Sequence, residues 1–333
     1  MFSSAAMRGL TPSPHLVENK DMENVPIINM NKLETPDTAR ALDEACRDWG
    51  FFQVVEHGIS NETFTDLTQA MHRFFAQKRE AKQRLERTAE NPWGYYDREL
   101  TKNVRDWKEV FDIGPESGEQ RPQWPEEMGK FRAAVETFYR EAERVARTIL
   151  GVLAKNLGTD PYVLLSAFEH HTSFLRLNYY PPCADAASPD APTVPTNGRL
   201  GIGHHSDAGA LTVLYQDDQP GLQVERDGAW HTVEPIPNAL VVNLGDIVQV
   251  WSNDRYRAAL HRVIANSTLP RYSAPFFFNP SYATNYAPLN SACTTQAPRY
   301  RTINWGEFRR RRADGDYADY GEEVQLSQFR IQT

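Results

Sequence analysis

Ala39, Leu42, Cys46 and Trp49 recur at steps of three and four along "TPDTARALDEACRDWG", which places them on one face of a helix. Thr35 suits the N-cap of that helix, Pro36 its first position and Gly50 its end. Upstream, "VPIINM" reads as a short strand, and downstream "FFQVVEHGI" reads as a strand entering a turn. A second helix is predicted from near Asn61, with Phe64, Leu67, Met71 and Phe74 facing inward. Phe131, Val135, Phe138, Val145 and Ile149 keep helical spacing and predict a long helix from about Glu126 to Asn156.

After about Ser173 the pattern changes. "SFLRLNYY", "ALTVLYQ", "GLQVE", "ALVVNLGDIVQVW", "HRVIAN" and "RYSAPFFF" are short, apolar and rich in β-branched or aromatic residues, with Gly, Pro, Asn and Asp between them. Many short strands punctuated by turns point to a jelly roll or barrel. The predicted fold class is α+β, a jelly-roll core with flanking helices. The expected organisation is a tail over 1–24, a helix-rich region over 25–172 packed on the core, and a core over 173–333 that ends in a helix. These form one structural unit. "PPCADAASPDAPTVPTNGR", residues 181–199, is expected to be a long surface loop of the length often found in lids.

Composition narrows the function classes. The chain has 333 residues, 40% hydrophobic and 24% charged, with a formal net charge of −8. That suits an ordinary globular enzyme and argues against a nucleic-acid partner, which needs a basic footprint. The basic run "FRRRR", from Phe308 to Arg312, is expected to be a solvated helix face. The three cysteines, Cys46, Cys183 and Cys293, are widely spaced and form no CxxC, so neither a disulfide framework nor a thiolate metal site is expected. There is no signal-peptide pattern and no apolar run of membrane-spanning length. The expectation is a cytoplasmic protein, a monomer or weak homo-oligomer, acting on a small molecule with no membrane partner.

The stretch "GHHSDAGALTVL" from Gly203 carries the first chemistry. Residues two apart on a strand share a face, so His205 and Asp207 point one way while His204 and Ser206 point the other. "LHRVIAN" supplies His261 in another strand-like context. Two histidines and one carboxylate make the facial triad of non-haem Fe(II) oxygenases, which leaves coordination positions open for substrates. A zinc hydrolase would normally show a motif such as HExxH, which this sequence lacks. Asp246 in "NLGDIVQVW" is read as a turn residue, and His57 as capping or packing near a turn. His170 and His171 receive no role.

"WGFFQVVEHGI", "RDWKEVFDI", "LRLNYYPP", "HHSDAGALTVLYQDDQPGLQV", "VVNLGDIVQVWSND", "LHRV" and "RYSAPFFFNP" together resemble the 2-oxoglutarate- and Fe(II)-dependent dioxygenases. The similarity is to the branch that includes isopenicillin N synthase and the plant flavonoid oxygenases. It covers about Val25 to Phe308. It implies a distorted double-stranded β-helix, Fe(II) as cofactor, and 2-oxoglutarate and O2 as co-substrates. It also implies His205, Asp207 and His261 as the metal ligands and catalytic centre. By the same resemblance, Arg271 would grip the distal carboxylate of 2-oxoglutarate, with Ser273, Asn178 and Tyr180 assisting. "EVFDI" would lie at the pocket rim and expose Val110 and Asp112. Strand parity extends the inward set to Pro275, Phe277 and Asn279 after Arg271 and Ser273, and to Arg176 before Asn178. Val110 and Phe277 are thus expected as an apolar wall, with Arg176, Asp112 and Asn279 as polar points. Alternatively, Arg176 pairs internally with Asp112 or Glu109. The implied reaction oxidises a substrate C–H bond by hydroxylation, desaturation or ring closure, and releases succinate and CO2. Two rivals share the fold, an oxidase that uses no 2-oxoglutarate and a non-catalytic binding protein.

Overall fold

Thr35 Oγ1 accepts the Thr38 N–H at 3.4 Å, and Pro36 opens helix α1 (Pro36–Asp48). Gly50, at φ +64°, ends that region; a Cβ there would stand 2.3 Å from the Arg257 carbonyl oxygen, so glycine is required. Ser60 caps α2 (Asn61–Phe75), and α3 (Arg79–Gln83) follows. The long helix α4 (Phe131–Asn156) starts later than its periodicity suggests, because Gly129 lies in the turns that precede it. Asp160 then caps α5 (Pro161–Leu165). This computed structural model describes residues 24–102, 104–317 and 324–332, so the expected tail lies outside it except for Asn24.

The strands form two principal sheets. In chain order they are β1 (Ile27–Asn29), β2 (Phe51–Val55), β3 (Gly94–Tyr96), β4 (Leu100–Thr101), β5 (Val104–Arg105), β6 (Glu109–Ile113) and β7 (Phe174–Tyr180). There follow β8 (Leu200–His205), β9 (Leu211–Gln216), β10 (Leu222–Arg226), β11 (Ala229–Thr232), β12 (Leu240–Leu244), β13 (His261–Ile264) and β14 (Arg271–Phe278). An eight-stranded sheet runs β1-β2-β12-β9-β14-β7-β6-β3, and a four-stranded sheet runs β11-β10-β13-β8. Among the described residues, strands β4 and β5 pair with each other in a separate two-stranded sheet. The region before 173 therefore adds β1, β2, β3 and β6 to the same sheet as the jelly-roll strands.

Alternation along β14 sorts the interior into two layers. Ala274, Phe276 and Phe278 join the large core with α2 and α4 residues such as Phe64, Phe74 and Phe138. Arg271, Ser273, Pro275 and Phe277 face a cavity between the sheets. Pro275 lies opposite Arg176 of β7, where the ladder lapses because proline has no N–H to give. A smaller apolar cluster, including Tyr180, Leu214, Leu222 and Val263, closes the inter-sheet space.

Two local expectations need correcting. The run "GDIVQVW" is not a strand: Asp246–Trp251 form helix α6, and Ile247, Val248, Val250 and Trp251 are all buried. A short run buried on every side carries no period that separates helix from strand. The basic run lies on α7 (Trp305–Tyr317), and it is not wholly solvated: Arg310 and Arg311 are exposed, but Arg312 is only 8% exposed, and both Arg309 and Arg312 line the cavity. Among the described residues no helix is long and apolar enough to cross a membrane.

Candidate metal centre and active site

Strand β8 ends at His205, directly opposite His261 of β13. The imidazole centroids lie 4.2 Å apart. Nδ1 of His205 faces the Gly203 carbonyl at 2.8 Å, and Nδ1 of His261 faces the Ala259 carbonyl at 3.2 Å. Those contacts assign the ring proton to Nδ1, where it donates, and leave each Nε2 lone pair available to a metal. Asp207 Oδ1 is 3.7 Å from His205 Nε2 and 3.6 Å from His261 Nε2. One ligand atom from each residue fits within a 4.8 Å span.

Asp207 is the residue strand parity could not place by itself, because β8 stops before it. Its carboxylate is oriented from other strands: Oδ2 accepts from Thr212 Oγ1 of β9 and from Asn243 Nδ2 of β12, the latter at 2.7 Å. Both donors act on Oδ2, so Oδ1 is left toward the histidines. Burial opposes ionisation of Asp207, yet the two imidazoles and these hydrogen bonds hold its carboxyl below the usual range. Burial, reinforced by His261, pushes the His205 imidazole down to about 3, which keeps it neutral and suited to coordination. The loop itself is gripped by the start of α6, where Asp246 N–H donates to the Asp207 carbonyl at 2.8 Å and Ile247 N–H to the Gly209 carbonyl at 3.1 Å. A Cβ on Gly245 would stand 2.2 Å from the Gly209 oxygen, so only glycine permits this approach. Asp246, read from sequence as a turn residue, is thus the buried first residue of α6, and its Oδ1 accepts from Ser206 Oγ at 3.1 Å.

Deeper in the cavity, Arg271 is buried and pairs across the ladder with Tyr180, as Ser273 does with Asn178. Arg271 Nε donates to the Gln219 carbonyl at 3.2 Å and Nη2 to Gln216 Oε1 at 2.9 Å. Among the described residues its Nη1 has no hydrogen-bond partner, nor has Oδ1 of Asn178, whose Nδ2 donates to Ser273 Oγ at 3.2 Å. An unpaired donor on a buried guanidinium is costly, and a carboxylate would satisfy it. The Asn178 amide can turn over on the same Ser273 contact, since a hydroxyl both donates and accepts. The residues present therefore fit a dicarboxylate beside a divalent metal.

Toward the opposite end, Phe277, Asn279 and Arg176 line the cavity, joined by Glu99, Lys108 and Arg309, which the sequence reading did not single out. Val110 and Asp112 are not among the lining residues. Asp112 sits behind the wall, where it takes Arg176 Nε and Nη2 on its two oxygens, each at 2.7 Å, and Arg87 Nη1 at 2.9 Å. Arg176 Nη1 reaches Glu99 at 2.8 Å, and Lys108 Nζ reaches Glu99 at 3.0 Å and Asp106 at 2.9 Å. Burial opposes ionisation of Glu99, but Arg176, Lys108 and Arg87 hold it well below the usual carboxylate range. Of the two internal partners considered for Arg176, Asp112 is the one it meets; Glu109 instead takes Lys82 and Tyr95.

Elsewhere, His57 accepts the Ile59 N–H on Nδ1 and meets the Asn238 carbonyl through Nε2 at 2.7 Å, a local structural role. Nδ1 of His171 accepts the Ser173 N–H, and its Nε2 lies 3.3 Å from Glu143.

Comparison with known proteins shows the family. Residues 171–280 match the family model described as 2OG-Fe(II) oxygenase superfamily, and residues 25–130 match the one described as non-haem dioxygenase in morphine synthesis N-terminal. The chain is 34% identical over 313 residues to jasmonate-induced oxygenase 3 of Arabidopsis thaliana, covering 89% of this chain and 84% of that protein. It is 33% identical over 297 residues to oxoglutarate-dependent flavonoid 7-O-demethylase 1 of Ocimum basilicum, covering 86% and 77%. Among solved structures, JOX2 in complex with 2OG, Fe and JA aligns with a TM-score of 0.75 at 33% identity, covering 86% of this chain and 84% of that one. The chain belongs to the 2OG-Fe(II) oxygenase superfamily and is a 2-oxoglutarate-dependent Fe(II) dioxygenase.

Proposed function

We propose that this enzyme oxidises a C–H bond of a small, partly apolar metabolite carrying an oxygenated or carboxylate group, with release of succinate and CO2. The observation that carries this reading is one continuous cavity between the sheets, which takes in Arg271, whose Nη1 has no partner among the described residues, then His205, Asp207 and His261, and a wall of mixed polarity. Nε2 of His205, Nε2 of His261 and Oδ1 of Asp207 would hold Fe(II). Iron bound there supplies the activation of O2. Arg271 would pair with the distal carboxylate of 2-oxoglutarate, and Ser273, Asn178 and Tyr180 would complete its pocket. The filled site is electrically balanced: Asp207 and the 2-oxoglutarate dianion offset the metal and Arg271, which a buried site tolerates.

Phe277 offers the substrate an apolar face, while Asn279 and Arg176 offer polar points on the same wall. Asp112 and Val110 act from behind, Asp112 by fixing the plane of the Arg176 guanidinium. A related structure is a complex with JA in addition to 2OG and Fe, which supports a small organic substrate for this chain. The test is a screen of small carboxylated and hydroxylated compounds with Fe(II), 2-oxoglutarate and O2, read by mass spectrometry. Succinate should form in step with an oxidised product. Product formed without succinate would overturn the reading.

A further inference from the structure

The loop from His205 to Asp207 has a third support, from a part of the chain far from it in sequence. Arg312 of α7 donates from Nη2 to the Ser206 carbonyl at 3.0 Å and from Nη1 to the Val324 carbonyl at 3.0 Å. Ser206 stands between two of the proposed ligands. The ladder of β8 with β13 stops at His205, so the Ser206 carbonyl lies past the strand pairing. We propose that Arg312 is a positioning residue for the metal centre, holding the Ser206 peptide so that His205 and Asp207 address one ion. This rests on the reading of His205, Asp207 and His261 as the ligands.

A peptide is planar, so the oxygen of Ser206 and the nitrogen of Asp207 lie in one rigid unit. Fixing that oxygen fixes the plane from which the Asp207 side chain departs. The α6 amides fix the carbonyl on the far side of Asp207, and Ser206 Oγ is tied to Asp246. Arg312 supplies the remaining constraint. It is a charge-assisted bond from a planar fork, and the second arm of that fork is anchored on the Val324 carbonyl. The guanidinium therefore ties the C-terminal segment to the metal loop without touching the metal.

Co(II) is the probe, because its visible absorption reports both affinity and ligand geometry without turnover. Titrations should be run on wild type, Arg312→Met, Arg312→Lys and the exposed-site control Arg311→Met, at a temperature where circular dichroism shows each metal-free protein folded. Arg312→Met should weaken the Co(II) Kd on the order of tenfold or more, as expected for an outer-shell partner. Arg312→Lys, which keeps the charge but not the fork, should fall between it and wild type, and Arg311→Met should match wild type. A purely structural arginine would lower the melting temperature of the metal-free protein and leave Kd unmoved; that result overturns the proposal. If Arg312→Met does not fold, Arg312→Lys decides, and a wild-type Kd there overturns it. His205→Ala separates the two readings. If it retains Co(II) affinity, the ligand set is wrong. If it loses affinity while Arg312→Met stays at the wild-type value, only the role of Arg312 falls.

Discussion

His205 and His261 are direct cross-strand partners, and each turns Nδ1 to a carbonyl two residues earlier in its own chain, Gly203 and Ala259. The same local device thus aims both Nε2 atoms at Asp207 Oδ1. His204 sits one residue away on the other side of β8, among the charges of Lys102 and Arg262, where burial and those charges lower its pKa. His205→Ala, His261→Ala and Asp207→Ala should each lose Fe(II) binding and succinate formation, whereas His204→Ala should keep most of both. Metal content after reconstitution, alongside a succinate assay, checks this; an inactive, metal-free His204→Ala protein would mean that the strand register at the metal is wrong.

Arg271→Gln should raise the 2-oxoglutarate requirement on the order of a hundredfold or more, the scale of leaving a buried carboxylate unpaired. Anaerobic addition of 2-oxoglutarate to the Fe(II) protein should give a weak visible charge-transfer band. In the variant that band should need far more 2-oxoglutarate to appear. A titration curve that matches wild type removes Arg271 from the co-substrate pocket.

The residues that sequence alone could place are those on regular strands. Arg271, Ser273, Pro275 and Phe277 share a face because side chains alternate, and the intervening Ala274, Phe276 and Phe278 go to the helical core. His205 followed from the same rule, but Asp207 lies past the strand end, and its placement depends on Thr212 and Asn243, which are local to neither. Glu99 and Lys108 reach the cavity through ion pairs that no spacing announces. Arg309 and Arg312 were hidden in a run of like residues. The available signal was Trp305, Phe308 and Arg312 at helical spacing, all three buried.

Stability of the metal-free protein should fall as the pH drops below about 6.5. In the unfolded chain His205 takes up its proton near the reference value of 6.5, while in the folded protein burial and His261 resist protonation until about 3. The unfolded state then binds more protons, so stability is fully present above the reference value and is lost progressively toward 3. Burial lowers His57 and His204 as well, with the same sign. One such group changes stability by at most about 1.4 kcal/mol per pH unit. His205→Asn should flatten the dependence of melting temperature on pH between 7 and about 5. An unchanged slope would show that His205 protonates freely in the fold.

The segment over 181–199 should behave as a fixed strap and not as an opening lid. Arg262 adjoins His261 but points to the opposite side of β13, where it is completely buried. It donates to the carbonyls of Pro189 at 3.2 Å, Ala191 at 2.8 Å and Pro192 at 2.7 Å, and to Gln223 Oε1 at 2.9 Å. Its guanidinium also lies 4.2 Å from the centre of the Trp230 ring. Hydrogen bonds from a charged donor contribute roughly 1.5–3 kcal/mol each, though not additively, so lifting the segment while Arg262 stays behind is strongly unfavourable. Cys183, buried within this segment and held by its own N–H on the Asn266 carbonyl at 2.8 Å, is a natural reporter. In wild type its thiol should react slowly with a maleimide, at a rate indifferent to 2-oxoglutarate, while the partly exposed Cys293 reacts first. Arg262→Met should speed labelling of Cys183 at least tenfold, on the order of the loss of one charged hydrogen bond, with Cys46 still protected in the core. Peptide mass mapping of the labelled sites separates the three thiols. Fast labelling of Cys183 in wild type that 2-oxoglutarate suppresses would instead make the segment a lid.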